Sequence, residues 1–229
     1  MVNKVFTAYL IVDLLLALCG ISILALSLFL KSRLFHPITD SSSAIDNVAQ
    51  LLLISNYPLN ISTANAILTL ISFVLSIPAM LSHEKRTMFK VHGWVVVLSA
   101  LFTLCLGLYM WFGTLTSRSM AGKMWGRQGG EVRSLLQRKW NCCGYFDSMN
   151  PPFEIDETCP TFLIAAQKQG CVGPFSSFVN KYLDIIIGSL FGVVGVHAAL
   201  LLCMAMVLKD RKERERYKLI DAKNGLGSI

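Results

Sequence analysis

Four long apolar runs, at residues 5–30, 61–81, 91–115 and 182–208, are separated by polar segments of very unequal length. At about 1.5 Å of rise per residue, even the shortest run spans the roughly 30 Å of a hydrocarbon layer. The pattern therefore predicts an all-α integral membrane protein with four transmembrane helices. Ala25 and Ser27 in the first run are spaced as at a signal-peptidase site. That run is longer than the usual apolar core of about 7–15 residues in a cleaved leader, so we read it as a retained span.

Charge sets the expected orientation. Segments 1–4, 82–90 and 209–229 hold eleven basic residues, seven of them in the tail, whereas 31–60 holds only Lys31 and Arg33. The long segment 116–181 carries eight, but stretches of that length translocate largely regardless of charge. Both termini and the 82–90 turn are thus expected in the cytosol, with 31–60 and 116–181 as small and large extracellular loops. The net charge of +7 is split between the two sides of a membrane, which is not the basic face that nucleic acid requires.

The large loop holds the most informative chemistry. Cys142-Cys143-Gly144 lies in it, with Cys159 and Cys171 downstream, so four of seven cysteines fall within about thirty residues. A vicinal bond would close a strained ring, so each of the adjacent pair must reach a different distant partner, and two pairings remain open. Disulfides persist outside the cytosol, in agreement with the charge distribution. Val132, Leu135, Leu136 and Trp140 lie on one face of a helix predicted over 131–141. Asn150-Pro151-Pro152 interrupts any helix that follows, and Phe175, Phe178, Val179 and Tyr182 resume one that runs into the fourth span. The small loop contains an apolar stretch, 48–54, able to pack beneath the larger one. A segment of about 65 residues has little core of its own, and two crosslinks would compensate.

Four spans, a brief cytosolic turn and a large loop opening with Cys142-Cys143-Gly144 resemble the tetraspanin family along the whole chain. The loop is similar to the family's short four-cysteine type. The stretches 140–146 and Gly170-Cys171-Val172-Gly173-Pro174-Phe175 resemble fungal members. The resemblance implies Cys142–Cys171 and Cys143–Cys159 disulfides. It further implies a non-enzymatic scaffold in the plasma membrane or endomembrane. Its partners would be membrane proteins in cis, other tetraspanins and membrane lipid, in processes such as polarised growth or host penetration. There are departures: span three lacks a central carboxylate or amide, and Met80 to Lys85 replace the family's glycine-cysteine motif after span two.

Asp13 and His197 are the ionisable residues expected deep in the membrane, about 13 and 18 Å from the cytosolic edge by helix rise. Either they pair, lining the lipid pocket that the resemblance implies with a sterol or other lipid bound, or each bonds to a nearby carbonyl or hydroxyl. No protein-bound cofactor or metal is expected. His83 and His92 read as interfacial, and Gly188, Gly192 and Gly195 as a face for close helix packing within the chain. Cys203 is a candidate for palmitoylation and Asn60, in Asn60-Ile61-Ser62, for N-glycosylation. Tyr217 and Ile220 match a sorting motif, in a tail whose i, i+4 charge pairs can extend the fourth helix. The partner surface is expected in 146–170, with Phe153 and Phe162 as apolar anchors. No HExxH, CxxC or phosphate loop is present. The alternatives are a thiol oxidoreductase using the loop cysteines, for which adjacent spacing is poor, and a channel or transporter subunit, for which the spans offer few polar groups.

Overall fold

In a computed structural model, residues 4–35, 49, 52–55, 57–81 and 86–223 are described. His83, Lys85 and three members of the 48–54 stretch, Val48, Gln50 and Leu51, lie outside the described residues, as do 1–3 and 224–229. The chain runs through α1 (Lys4–Phe35), α2 (Leu59–Leu81), α3 (Arg86–Leu115), α4 (Ser117–Gly126), α5 (Gly130–Trp140), α6 (Phe162–Gln167) and α7 (Val172–Lys223). An isolated bridge between Met149 and Pro152 is the extended pairing found among the described residues.

Four helices, α1, α2, α3 and α7, are long and apolar enough to cross a membrane. Each predicted span lies within one of them. Pro78 sits inside α2, three residues from its end, and does not stop it. Helix α7 covers more than the predicted fourth span at both ends. Pro174 falls in its first turn, where a missing N–H breaks no helical bond. At the other end, Arg214 Nε and Asp210 Oδ2, 3.0 Å apart, form the expected i, i+4 pair in the tail.

The chain divides into two compact units, the first made of residues 1–25, 62–105 and 190–229. Its core gathers Tyr9, Leu16, Phe89, Val96, Leu200 and Met204. Leu18, Val74, Leu98 and Leu202 are each more than half exposed, the reverse of a water-soluble protein and the arrangement that lipid requires. Phe89 lies against Tyr9 with ring centroids 5.5 Å apart, and the guanidinium of Arg211 sits 4.8 Å above the same ring.

The second unit comprises residues 26–61 and 106–189. Its core is aromatic, with Trp125, Tyr145 and Phe175 fully buried and Trp140 and Phe178 packed at the edge. Trp140 stands 5.3 Å from Phe175 and 5.7 Å from Phe178. Ala49 and Leu52 join this core, so the described part of the 48–54 stretch packs as expected beneath the larger loop. Helix α5 reproduces the predicted 131–141 segment with a shift of one residue. It ends where Asn141 turns left-handed, at φ 48°, a conformation asparagine tolerates better than most residues.

Candidate functional site

The segment after α5 is held covalently at two points. Cys142 is bonded to Cys171 and Cys143 to Cys159, with Cα atoms 5.1 and 6.0 Å apart. All four cysteines are buried. The backbone reinforces the crosslinks: Cys143 N–H donates to Gln169 O, Cys171 N–H to Gly144 O, and Val172 N–H to Tyr145 O. Gly144 makes this crossing possible. Its φ is +70°, and a side chain there would run into the carbonyl oxygen of Asp147.

Tyr145 turns inward to the aromatic core, and its hydroxyl donates to Arg118 O at 2.6 Å. Burial pushes the phenol up to about 12, against the opposing pull of Arg118. The Tyr145 ring lies where a side chain on Gly122 would be, so α4 approaches the ring through a glycine.

Gln137, on α5 and fully buried, organises the opposite side. Its amide nitrogen donates to Glu154 O at 2.9 Å and to Asp156 Oδ2 at 3.0 Å, while Glu154 N–H donates to its amide oxygen at 3.0 Å. Asp156 Oδ1 in turn accepts from the N–H groups of Thr158 and Cys159. Arg133 pairs with Glu154 at 3.0 Å and Arg138 with Glu157 at 3.2 Å. Basic α5 thus pins an acidic loop whose course the prolines leave irregular.

Between the disulfides the chain exposes apolar side chains. Phe146, Met149, Ile155, Phe162 and Leu163 are between 51% and 80% exposed. Phe162 is thus exposed on this surface. Phe153 is a correction: it is half-buried against Cys143, Cys159 and Ala165, with its ring 6.5 Å from that of Phe162, and it supports the surface from beneath. The short helix α6, capped by Thr161 accepting from Ile164 N–H, carries Phe162 and Leu163. Pro160-Thr161 ahead of an apolar run was the available signal for it.

Inside the first unit, Asp13 and His197 do not pair; of the two arrangements expected, each meets a nearby hydroxyl or carbonyl. Ser76 Oγ lies 2.6 Å from Asp13 Oδ2, while His197 Nδ1 reaches Val193 O at 2.9 Å and Nε2 reaches Ser99 Oγ at 3.0 Å. A carbonyl only accepts, so Nδ1 carries a hydrogen. A neutral ring then accepts from Ser99 at Nε2. The organising feature is a stripe that the hydropathy of span two conceals: Ser62, Asn65, Thr69, Ser72 and Ser76, spaced three and four apart and all buried. Thr69 meets Ser99 at 3.4 Å and Thr103 meets Asn65 at 2.8 Å, joining α2 to α3. His92, near the N-terminal end of α3, is fully buried against its neighbours, edge-on to Tyr9 with centroids 6.4 Å apart.

The remaining candidates lie apart from one another. Cys203 is buried in the core of the first unit, where an acyl chain could not reach the thiol without local opening. Asn60 is exposed and accepts from Lys31 Nζ at 3.2 Å, but Ser62 of its sequon is buried within α2. Tyr217 and Ile220 are exposed on α7, about one helical turn apart. Nothing among the described residues comes within 4 Å of where side chains on Gly188, Gly192 and Gly195 would start, so the close packing expected within the chain is absent.

Residues 6–210 match the Tetraspanin family. No curated protein and no solved structure matches the chain. Four helices able to span a membrane and two disulfides in the segment between the third and fourth accord with that match, and the chain belongs to the tetraspanin family.

Proposed function

We propose that the protein is a non-enzymatic scaffold that gathers other membrane proteins, further tetraspanins among them, laterally through its large loop. The exposed apolar side chains at 146, 149, 155, 162 and 163, on a segment held by two buried disulfides, are the observation that carries this reading. A surface whose shape is fixed before encounter loses little conformational entropy on docking. Burial of all four bonded cysteines supports a structural role for them over thiol turnover. Both termini face the cytosol in this reading, supported by the eleven basic residues flanking the inner ends of the spans. Plasma membrane or endomembrane is the site of action, and the resemblance to fungal members supports polarised growth or host penetration as the process. A sterol or other lipid is the small ligand this reading allows, between the spans.

Crosslinking mass spectrometry on intact cells tests it. Phe162→Ser with Leu163→Ser will reduce crosslinks to neighbouring membrane proteins several-fold while both disulfides stay closed to thiol labelling. Unchanged crosslinks in a correctly disulfide-bonded double variant would reject the surface.

A further inference from the structure

Ser76 Oγ lies 2.6 Å from Asp13 Oδ2 and 2.7 Å from Phe73 O. Both distances are those of O–H···O hydrogen bonds, yet the hydroxyl has one hydrogen. The Phe73 carbonyl has none to give. If Ser76 donates to it, the short contact with Asp13 needs a hydrogen from the carboxyl group. The other carboxyl oxygen, Asp13 Oδ1, is buried with no hydrogen-bond partner, although an ionised carboxylate would demand donors on both oxygens.

Among the described residues, no basic side chain supplies a counter-charge, and Asp13 forms no ion pair. The charged and titratable groups facing this part of the bundle are Tyr9 on the same face of α1, His92 on α3 and Arg211 on α7. Neither Tyr9 Oη nor a ring nitrogen of His92 makes a hydrogen bond to Asp13, and Arg211 is engaged over the Phe89 ring. Asp13 itself is 1% exposed.

We propose that Asp13 is a proton-binding site within the membrane, a neutral carboxylic acid that donates to Ser76 and so latches α1 to α2. The hydrogens then balance: Asp13 donates through Oδ2 to Ser76 Oγ, Ser76 donates to Phe73 O, and Oδ1 remains a neutral carbonyl oxygen that tolerates burial. An opening of this contact that admitted water to the carboxyl group would let it ionise, so such an opening is linked to proton release and its closure to proton uptake.

Infrared spectroscopy of the full chain in lipid nanodiscs, with carbon-13 aspartate, tests the proposal at neutral pH. The expected result is an isotope-shifted carboxylic-acid C=O band, sensitive to deuterium exchange, that disappears in Asp13→Asn. In Ser76→Ala the band persists and moves to higher frequency as its hydrogen bond is lost, which assigns it even if the asparagine variant fails to fold. Carboxylate bands alone in the wild-type spectrum, or an acid band indifferent to Ser76→Ala, would overturn it.

Discussion

The amide nitrogen of Gln137 lies 3.3 Å from the sulfur of Cys159, so the side chain that fixes the acidic loop also touches the disulfide closing it. Gln137→Leu keeps the volume but strands the backbone N–H and carbonyl of Glu154. Each buried group left unpaired costs about 1–3 kcal/mol. The expected result is rapid hydrogen exchange and early proteolysis confined to 154–160, with the Cys142–Cys171 bond still resistant to mild reductant.

Gly144→Ala addresses the crossing of the two crosslinked segments. The left-handed backbone costs about 1–2 kcal/mol for a non-glycine residue, before the collision with the Asp147 carbonyl is counted. The disulfides, which need Cys142 and Cys143 held in place just beyond the end of α5, will form incompletely. Quantitative thiol trapping without reductant will find free thiols in the variant and none in the wild-type loop.

Asp13 and His197 hold separate hydroxyls, Ser76 and Ser99, and their replacements will act independently. In a cycle of Asp13→Asn, His197→Gln and the double variant, the stability changes will add within about 0.5 kcal/mol. Ser99→Ala, in contrast, will couple to His197→Gln, since the two share one bond. Intramembrane hydrogen bonds are worth about 0.6–2 kcal/mol, which thermal unfolding in detergent resolves.

Tyr145 gives the large loop an alkaline limit. Its folded value of about 12 lies above the ordinary value of 10.0, so the folded form holds the phenolic proton longer than the unfolded chain does. This contribution is complete below about pH 10 and is lost as pH rises through about 12. Tyr145→Phe will abolish that part of the alkaline decline, read as the difference in unfolding between the two proteins across this range. A wild-type loop whose alkaline decline equals that of the variant would count against the burial of this hydroxyl.

Much of this architecture was legible in the sequence because lipid imposes a coarse rule: runs of about 20 apolar residues become spans. The cysteine-rich segment was legible because adjacent cysteines cannot bond to each other and must reach outward. The helix face of Val132, Leu135, Leu136 and Trp140 follows from its spacing, whereas nothing in that spacing marks Gln137, a polar residue beside it, as buried. Its burial depends on an acidic loop that folds back from 154–159, a long-range contact with no local signature. The seam on α2 escaped for a different reason. Serine and threonine barely lower the mean hydropathy of a span, and attention to ionisable groups singled out Asp13 and His197 while their hydroxyl partners went unnoticed. Phe153 is more buried than Phe162 because it packs on Cys143, Cys159 and Ala165, contacts that the sequence does not reveal.

The polar stripe of Ser62, Asn65, Thr69, Ser72 and Ser76 bears on alignment as well as affinity. Apolar side chains in an apolar solvent attract one another almost equally at every offset, so two greasy helices can slip lengthwise at small cost. A slip of one residue rotates this stripe by about 100° and parts Thr69 from Ser99 and Asn65 from Thr103 at once. Short polar side chains therefore act as the teeth of a ratchet, giving α2 and α3 one meshing position in a medium that otherwise offers none.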